Sequence, residues 1–183
     1  MSTRAEGFWN LVRTVEPPDL GPGPRSGVLP FPVLAGRFDA WLGGAGLAPE
    51  IAQRLRATAY LHHDHADPAH DIVQDLSDAD SALIHGILHR REPDFWNANY
   101  WFRQAENHPV FQRLTARVNA LESSRQQQPL VERLTLSGSV DPHAFVEAIE
   151  EVHRRTTKDP DVWFLRQIQL AETECLVAHL LGV

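Results

Sequence analysis

An all-α fold, a single helical domain preceded by a Pro/Gly-rich strap, is predicted by three features of the sequence. Apolar residues recur at three-to-four spacing in the long segments, the period of a helix with one buried face. Asp-Pro pairs at Asp67-Pro68, Asp141-Pro142 and Asp159-Pro160 open such segments, each joining a capping carboxylate to a residue suited to the first turn. Residues Glu16 to Pro32 instead hold Pro17, Pro18, Pro22, Pro24, Pro30 and Pro32 with Gly21, Gly23 and Gly27. That density of missing donors and fixed φ angles excludes a helix or a central strand. The expected division is a strap with a short helix over residues 1–32 and a helical domain over 33–183.

Taken in order, a short helix is expected around Phe8 to Val12, followed by the strap with Val28, Leu29, Phe31 and Val33 as anchors. Phe38, Trp41 and Leu42 predict a short helix stopped by Gly43-Gly44, and Pro49 opens a longer one to about His65. On it Leu47, Ile51, Leu55 and His62 share a face. Asp67-Pro68 restarts a short helix, and Ser77 with Asp80 resembles a capping box for the next. From Glu122 to Gln128 the chain turns polar, and Leu130 to Leu136 reads equally as helix or strand. Asp141-Pro142 begins a helix burying Phe145, Ile149 and Val152; Asp159-Pro160 begins the last, running to about Leu181.

Function points to Ser81–Pro109. Leu83, Ile84, Ile87 and Leu88 supply one packing face of a helix, while His85, His89 and Glu92, at i, i+4 and i+7, form a stripe directed away from it. Pro93 ends this helix and Asp94 caps a second, Phe95 to Glu106, giving a helical hairpin. The second helix has two aromatic stripes, Ala98, Trp101, Phe102 and Ala105 on one side and Trp96, Tyr100 and Arg103 roughly opposite. Either it packs between two neighbours, or Trp96, Tyr100 and Arg103 wall a cavity that grips a planar or anionic ligand. Six of the ten histidines lie between residues 62 and 89, and Asp64, Asp71 or Glu92 can complete a mixed nitrogen and oxygen metal site. His85-x-x-x-His89 lacks the glutamate of H-E-x-x-H, which speaks against zinc peptidase chemistry. On the final helix Glu172 and His179 share the face of Leu165, Ile168 and Cys175; a carboxylate carried inward demands an arginine, a histidine or a metal.

Two resemblances follow from these residues. The Gly86, Ala98, Phe102, Ala105 spacing is similar to a single tetratricopeptide or Sel1-type hairpin. The run HGILHRREPDFWNANYWFRQAENHPVF, with DPHAFVEAIEEVHR and LRQIQLAE, resembles a family of uncharacterised, mainly bacterial proteins that carry an HRRE-x-D-x-x-N-x-x-YWFRR-x-x-x-HP block. The match spans roughly Leu55 to Leu180 and departs from the pattern at Gln104, where a second arginine is usual. The resemblance implies that the block acts as a unit; it implies no activity.

Composition narrows the classes. At 183 residues, 43% hydrophobic, the chain has the size of one domain with a substantial core. A net charge of −7 and no basic run longer than Arg90-Arg91 speak against nucleic-acid and anionic-membrane surfaces. Cys175, the sole cysteine, excludes an internal disulfide and a multi-cysteine zinc site, and reads as a small buried hydrophobe. No apolar run approaches the roughly 20 residues of a membrane span, and MSTRAEGFWNLV lacks a signal-peptide core, so a cytoplasmic location is expected. The expected site is a small-ligand or divalent-metal pocket between the hairpin and the last helix, lined by His85, His89, Arg90, Glu92, Asn97, Trp101, Arg103 and Glu172, with His85 and His89 as the metal ligands. The alternatives are a tetratricopeptide-like protein-interaction module and a polar network that only holds the fold.

Overall fold

The computed structural model describes residues 3–121 and 125–183, and among them ten helices and no strand. They are α1 (Thr3–Val12), α2 (Phe31–Ala45), α3 (Pro49–His62), α4 (Ala66–Val73), α5 (Ala79–Arg91), α6 (Phe95–Ala105), α7 (Pro109–Ala120), α8 (Gln128–Thr135), α9 (Pro142–Val152) and α10 (Pro160–Leu180). Residues 122–124 of the polar stretch lie outside the described residues. The ambiguous segment beyond it resolves as the helix α8.

Local chemistry explains most boundaries. Asp94, Asp141 and Asp159 cap α6, α9 and α10 by accepting from backbone N–H groups of the first turn, as expected. At α5 the cap is Asp78, not Ser77: its carboxylate accepts from Ser81 N and Ser81 Oγ at 3.1 and 2.7 Å. A charged acceptor one residue further on wins over the hydroxyl. The second helix also differs, beginning at Phe31 inside the expected strap and running through Gly43-Gly44 to a left-handed Gly46. Phe31 and Val33 consequently lie on its exposed side; Leu29 packs against the core as expected, and the buried Pro17, Pro18 and Leu20 anchor the segment before it.

The core is organised around α5. Eleven of its thirteen residues are buried, so it has no solvent face of the kind that a single apolar stripe implied. α6 folds back along it, α4 and α3 flank it, and α10 packs against α3, α7 and α9. The α5–α6 approach is set by Gly86, where a Cβ would stand 2.8 Å from the Phe102 ring.

Buried charge ties these layers. Arg90, fully buried, forks onto the Glu172 carboxylate of α10, reaches Gln169 Oε1 at 3.4 Å, and lies 4.2 Å from the centroid of the Phe145 ring. Arg91 donates to Asp64 and to the carbonyls of Leu61, Asp19 and Gly21. Arg25 meets the same Asp64, and Arg166 takes the carbonyls of Pro17 and Pro18. A proline-rich segment forms few backbone hydrogen bonds of its own, and these side chains satisfy its carbonyls.

Candidate metal centre

The six clustered histidines divide by tertiary structure into two groups of three. His62, His63 and His65 turn toward the N-terminal segment. His63 accepts from Leu29 N at 3.0 Å through Nδ1, and its Nε2–H faces Val12 O at 3.1 Å. His65 Nε2 meets Leu29 O at 2.8 Å, and His62 packs its ring edge against Trp9. Asp64, buried between two arginines, is equally committed to the fold.

His70, His85 and His89 form the other group. One turn of α5 separates His85 from His89, which places their rings nearly parallel, 5.0 Å apart. His70 comes from α4 and meets both edge-on, with centroids 4.7 Å from His85 and 5.5 Å from His89. One ring nitrogen from each of the three lies within 4.8 Å of the other two. Tetrahedral ligands at about 2.1 Å from an ion stand about 3.4 Å from one another, so modest side-chain rotation closes the set.

The partners of these rings show how each nitrogen is engaged. His89 Nδ1–H donates to Glu92 Oε2 at 3.1 Å, which leaves the lone pair on Nε2, where it accepts from the Asn97 amide at 3.2 Å. A carboxylate on the far nitrogen is the usual outer partner of a metal-bound imidazole. His85 is 2% exposed, its Nδ1 is buried without a hydrogen-bond partner, and its ring lies flat on Trp101, centroids 3.9 Å apart and planes 8° apart. The His70 imidazole makes no hydrogen bond among the described residues, only the edge-on ring contacts with His85 and His89. Burial, followed by the neighbouring His70 and His89, pushes His85 down to about 4. His89 is lowered as well, by burial first, with Glu92 opposing. The neutral, lone-pair-bearing imidazole that a metal requires is therefore the favoured form at neutral pH.

Asp80, His108 and His179 form a second cluster with different chemistry. Asp80 Oδ1 accepts from His108 Nε2 at 2.8 Å and from His179 Nε2 at 2.9 Å. His108 Nδ1 is already the acceptor that caps α7, taking Val110 N–H at 3.3 Å. With that lone pair used, Nε2 carries the proton and has none to offer an ion. This cluster is a clasp joining the start of α5, the start of α7 and the end of α10.

Of the site residues expected from sequence, His85, His89, Glu92, Asn97 and Trp101 come together, on α5, its C-cap and α6, beside α4 and not against the last helix. Arg90 and Glu172 are brought together elsewhere, as an internal ion pair on another side of α5. Arg103 is exposed and lines a separate cavity of about 560 Å³ with Asn107, Ser139 and His143. Trp96 and Tyr100 are 76% and 40% exposed. His70 was not singled out as a ligand in the sequence; its only signal was membership of the histidine cluster. No family model, curated protein or solved structure matches this chain.

Proposed function

We propose that the protein binds one divalent transition-metal ion between His70, His85 and His89, at a small-ligand pocket bounded by Asn97 and Trp101. The observation that carries this reading is the buried, unpartnered Nδ1 of His85, on a ring that offers with His70 and His89 a set of three nitrogens within 4.8 Å of one another. A buried polar atom without a partner costs on the order of 1–3 kcal/mol, and a bound ion offsets that cost. Three imidazoles suit zinc and its late first-row neighbours, and a three-ligand set leaves a position for water or a substrate atom, which the ion would polarise. His89 is oriented by Glu92. The buried free thiol Cys175 fits a cytoplasmic location, which belongs to the same proposal.

Membership of the HRRE…YWFRR…HP family is proposed alongside it. In its support, the block supplies His89, Glu92, Asn97 and Trp101 to one place and His108 to the clasp. A second reading, an interaction module of tetratricopeptide type, is favoured by the exposed Trp96–Tyr100 pair and by the close Gly86–Phe102 packing of the hairpin.

Metal analysis of untagged protein separates the two. Expected is one equivalent of ion per chain, lost in His70→Ala, His85→Ala and His89→Ala with far-UV circular dichroism unchanged, and kept in His179→Ala. Retention in all three single variants would reject the centre and favour the interaction module.

A further inference from the structure

Resting on the metal reading, we infer that the ligand taken at the open coordination position is a neutral, flat nitrogen heterocycle, bound to the ion through a ring nitrogen and seated against Trp96 and Tyr100.

Charge narrows the ligand first. The ionisable groups that act on His85 and His89 are His70, Glu92 and Asp94. Among the described residues no guanidinium or ammonium acts on them: Arg90 is spent on Glu172, Arg91 on Asp64 and backbone carbonyls, and Arg103 lines the other cavity. Two carboxylates already balance a divalent ion. An added phosphate or carboxylate would meet surroundings with no remaining positive charge and no fork to hold it, so the site favours a neutral ligand over an anion.

The aromatic wall narrows it further. Trp101 lies flat on His85, Tyr100 meets Trp101 edge-on at 5.3 Å, and Trp96 runs nearly parallel to Tyr100, 14° off with centroids 6.4 Å apart. On α6 the pair Trp96 and Tyr100 forms the column next to Asn97 and Trp101, one step round the helix from the ligand side chains. Ala98, Phe102 and Ala105 are buried, Phe102 against Gly86 of α5, which leaves Trp96 and Tyr100 76% and 40% exposed. Two large rings held parallel and exposed at the rim of a metal centre offer stacking area that a flat molecule can cover. A nitrogen donor matches the class of the three imidazoles, and the Asn97 amide, released from His89 Nε2 when that atom binds the ion, is placed to hydrogen-bond a ring substituent.

The test uses full-length protein loaded with cobalt(II), whose visible bands report the coordination sphere, and benzimidazole as probe. Expected is a saturable one-to-one change in the bands with quenching of tryptophan fluorescence. The affinity should be about tenfold above that of imidazole, the increment that one stacked ring provides. Trp96→Ala and Tyr100→Ala should remove that advantage while leaving the cobalt bands and imidazole binding as they were. Inorganic phosphate should leave the bands unchanged. Equal affinity for the two azoles, insensitivity to both substitutions, or tighter binding of phosphate would each overturn the proposal with the metal centre intact. Failure of the protein to take up cobalt would overturn the metal reading and this inference with it.

Discussion

Arg90 and Glu172 show at the scale of single residues why a buried charge must be read with its partner. Each is almost wholly withdrawn from water and is tolerated because the other pairs with it, Gln169 adding a second acceptor for Arg90, whose Nε alone has no partner. Glu172→Ala is expected to lower stability by roughly 3–5 kcal/mol in urea unfolding, because it strands a guanidinium in the core. Replacing both members by apolar residues of similar size should cost far less; an equal loss in the double variant would show that the pair itself is not what matters. Glu92 acts at the same scale on the proposed centre. Glu92→Gln should weaken metal binding by about 10–100-fold in a competition titration while helical content holds, since it removes the charge that fixes the His89 tautomer.

Between elements, the hairpin depends on one missing methyl group. Alanine is worth about 1 kcal/mol over glycine inside a helix, yet at residue 86 its Cβ would enter the buried Phe102 ring. Gly86→Ala is therefore expected to destabilise by about 1–3 kcal/mol net, read from the denaturation midpoint; a gain in stability would mean that α6 yields easily. Asp80 couples three helix ends in the same manner. Asp80→Ala should raise hydrogen exchange at the start of α7 and the end of α10 together, because His108 and His179 lose one shared acceptor. Faster exchange at only one of the two would contradict a common clasp.

For the whole molecule, acid sensitivity is built into the join between the N-terminal segment and α3. Burial, then Arg25, lowers His63 from the ordinary 6.5 to about 4, and His62 is lowered well below its usual value for the same first cause. The unfolded chain therefore takes up protons that the folded chain refuses. The stabilising contribution is complete above about pH 6.5 and is lost as pH falls toward about 4, when protonation at His63 Nδ1 confronts the Leu29 N–H it now accepts. Urea midpoints should fall steadily between neutrality and about pH 5, and less steeply in a His63→Gln variant. A midpoint flat across that window would remove His62 and His63 from the account.

Helix content and several boundaries were legible in the residue order because their causes are local. Asp94, Asp141 and Asp159 reach N–H groups two or three residues away, and proline at the first turn acts on its own backbone. The His85–His89 stripe was legible for the same reason, since one helical turn sets it. The third imidazole was not: His70 lies fifteen positions before His85 on another helix, and only packing of α4 against α5 brings it within reach. Tertiary structure likewise sent Arg90 to Glu172 and Arg103 to a different cavity, although both sit within a few residues of His89 and Trp101. Consecutive side chains on a helix diverge by about 100°, so neighbours in sequence serve different faces, and only the arrangement of surrounding helices decides which face holds a site.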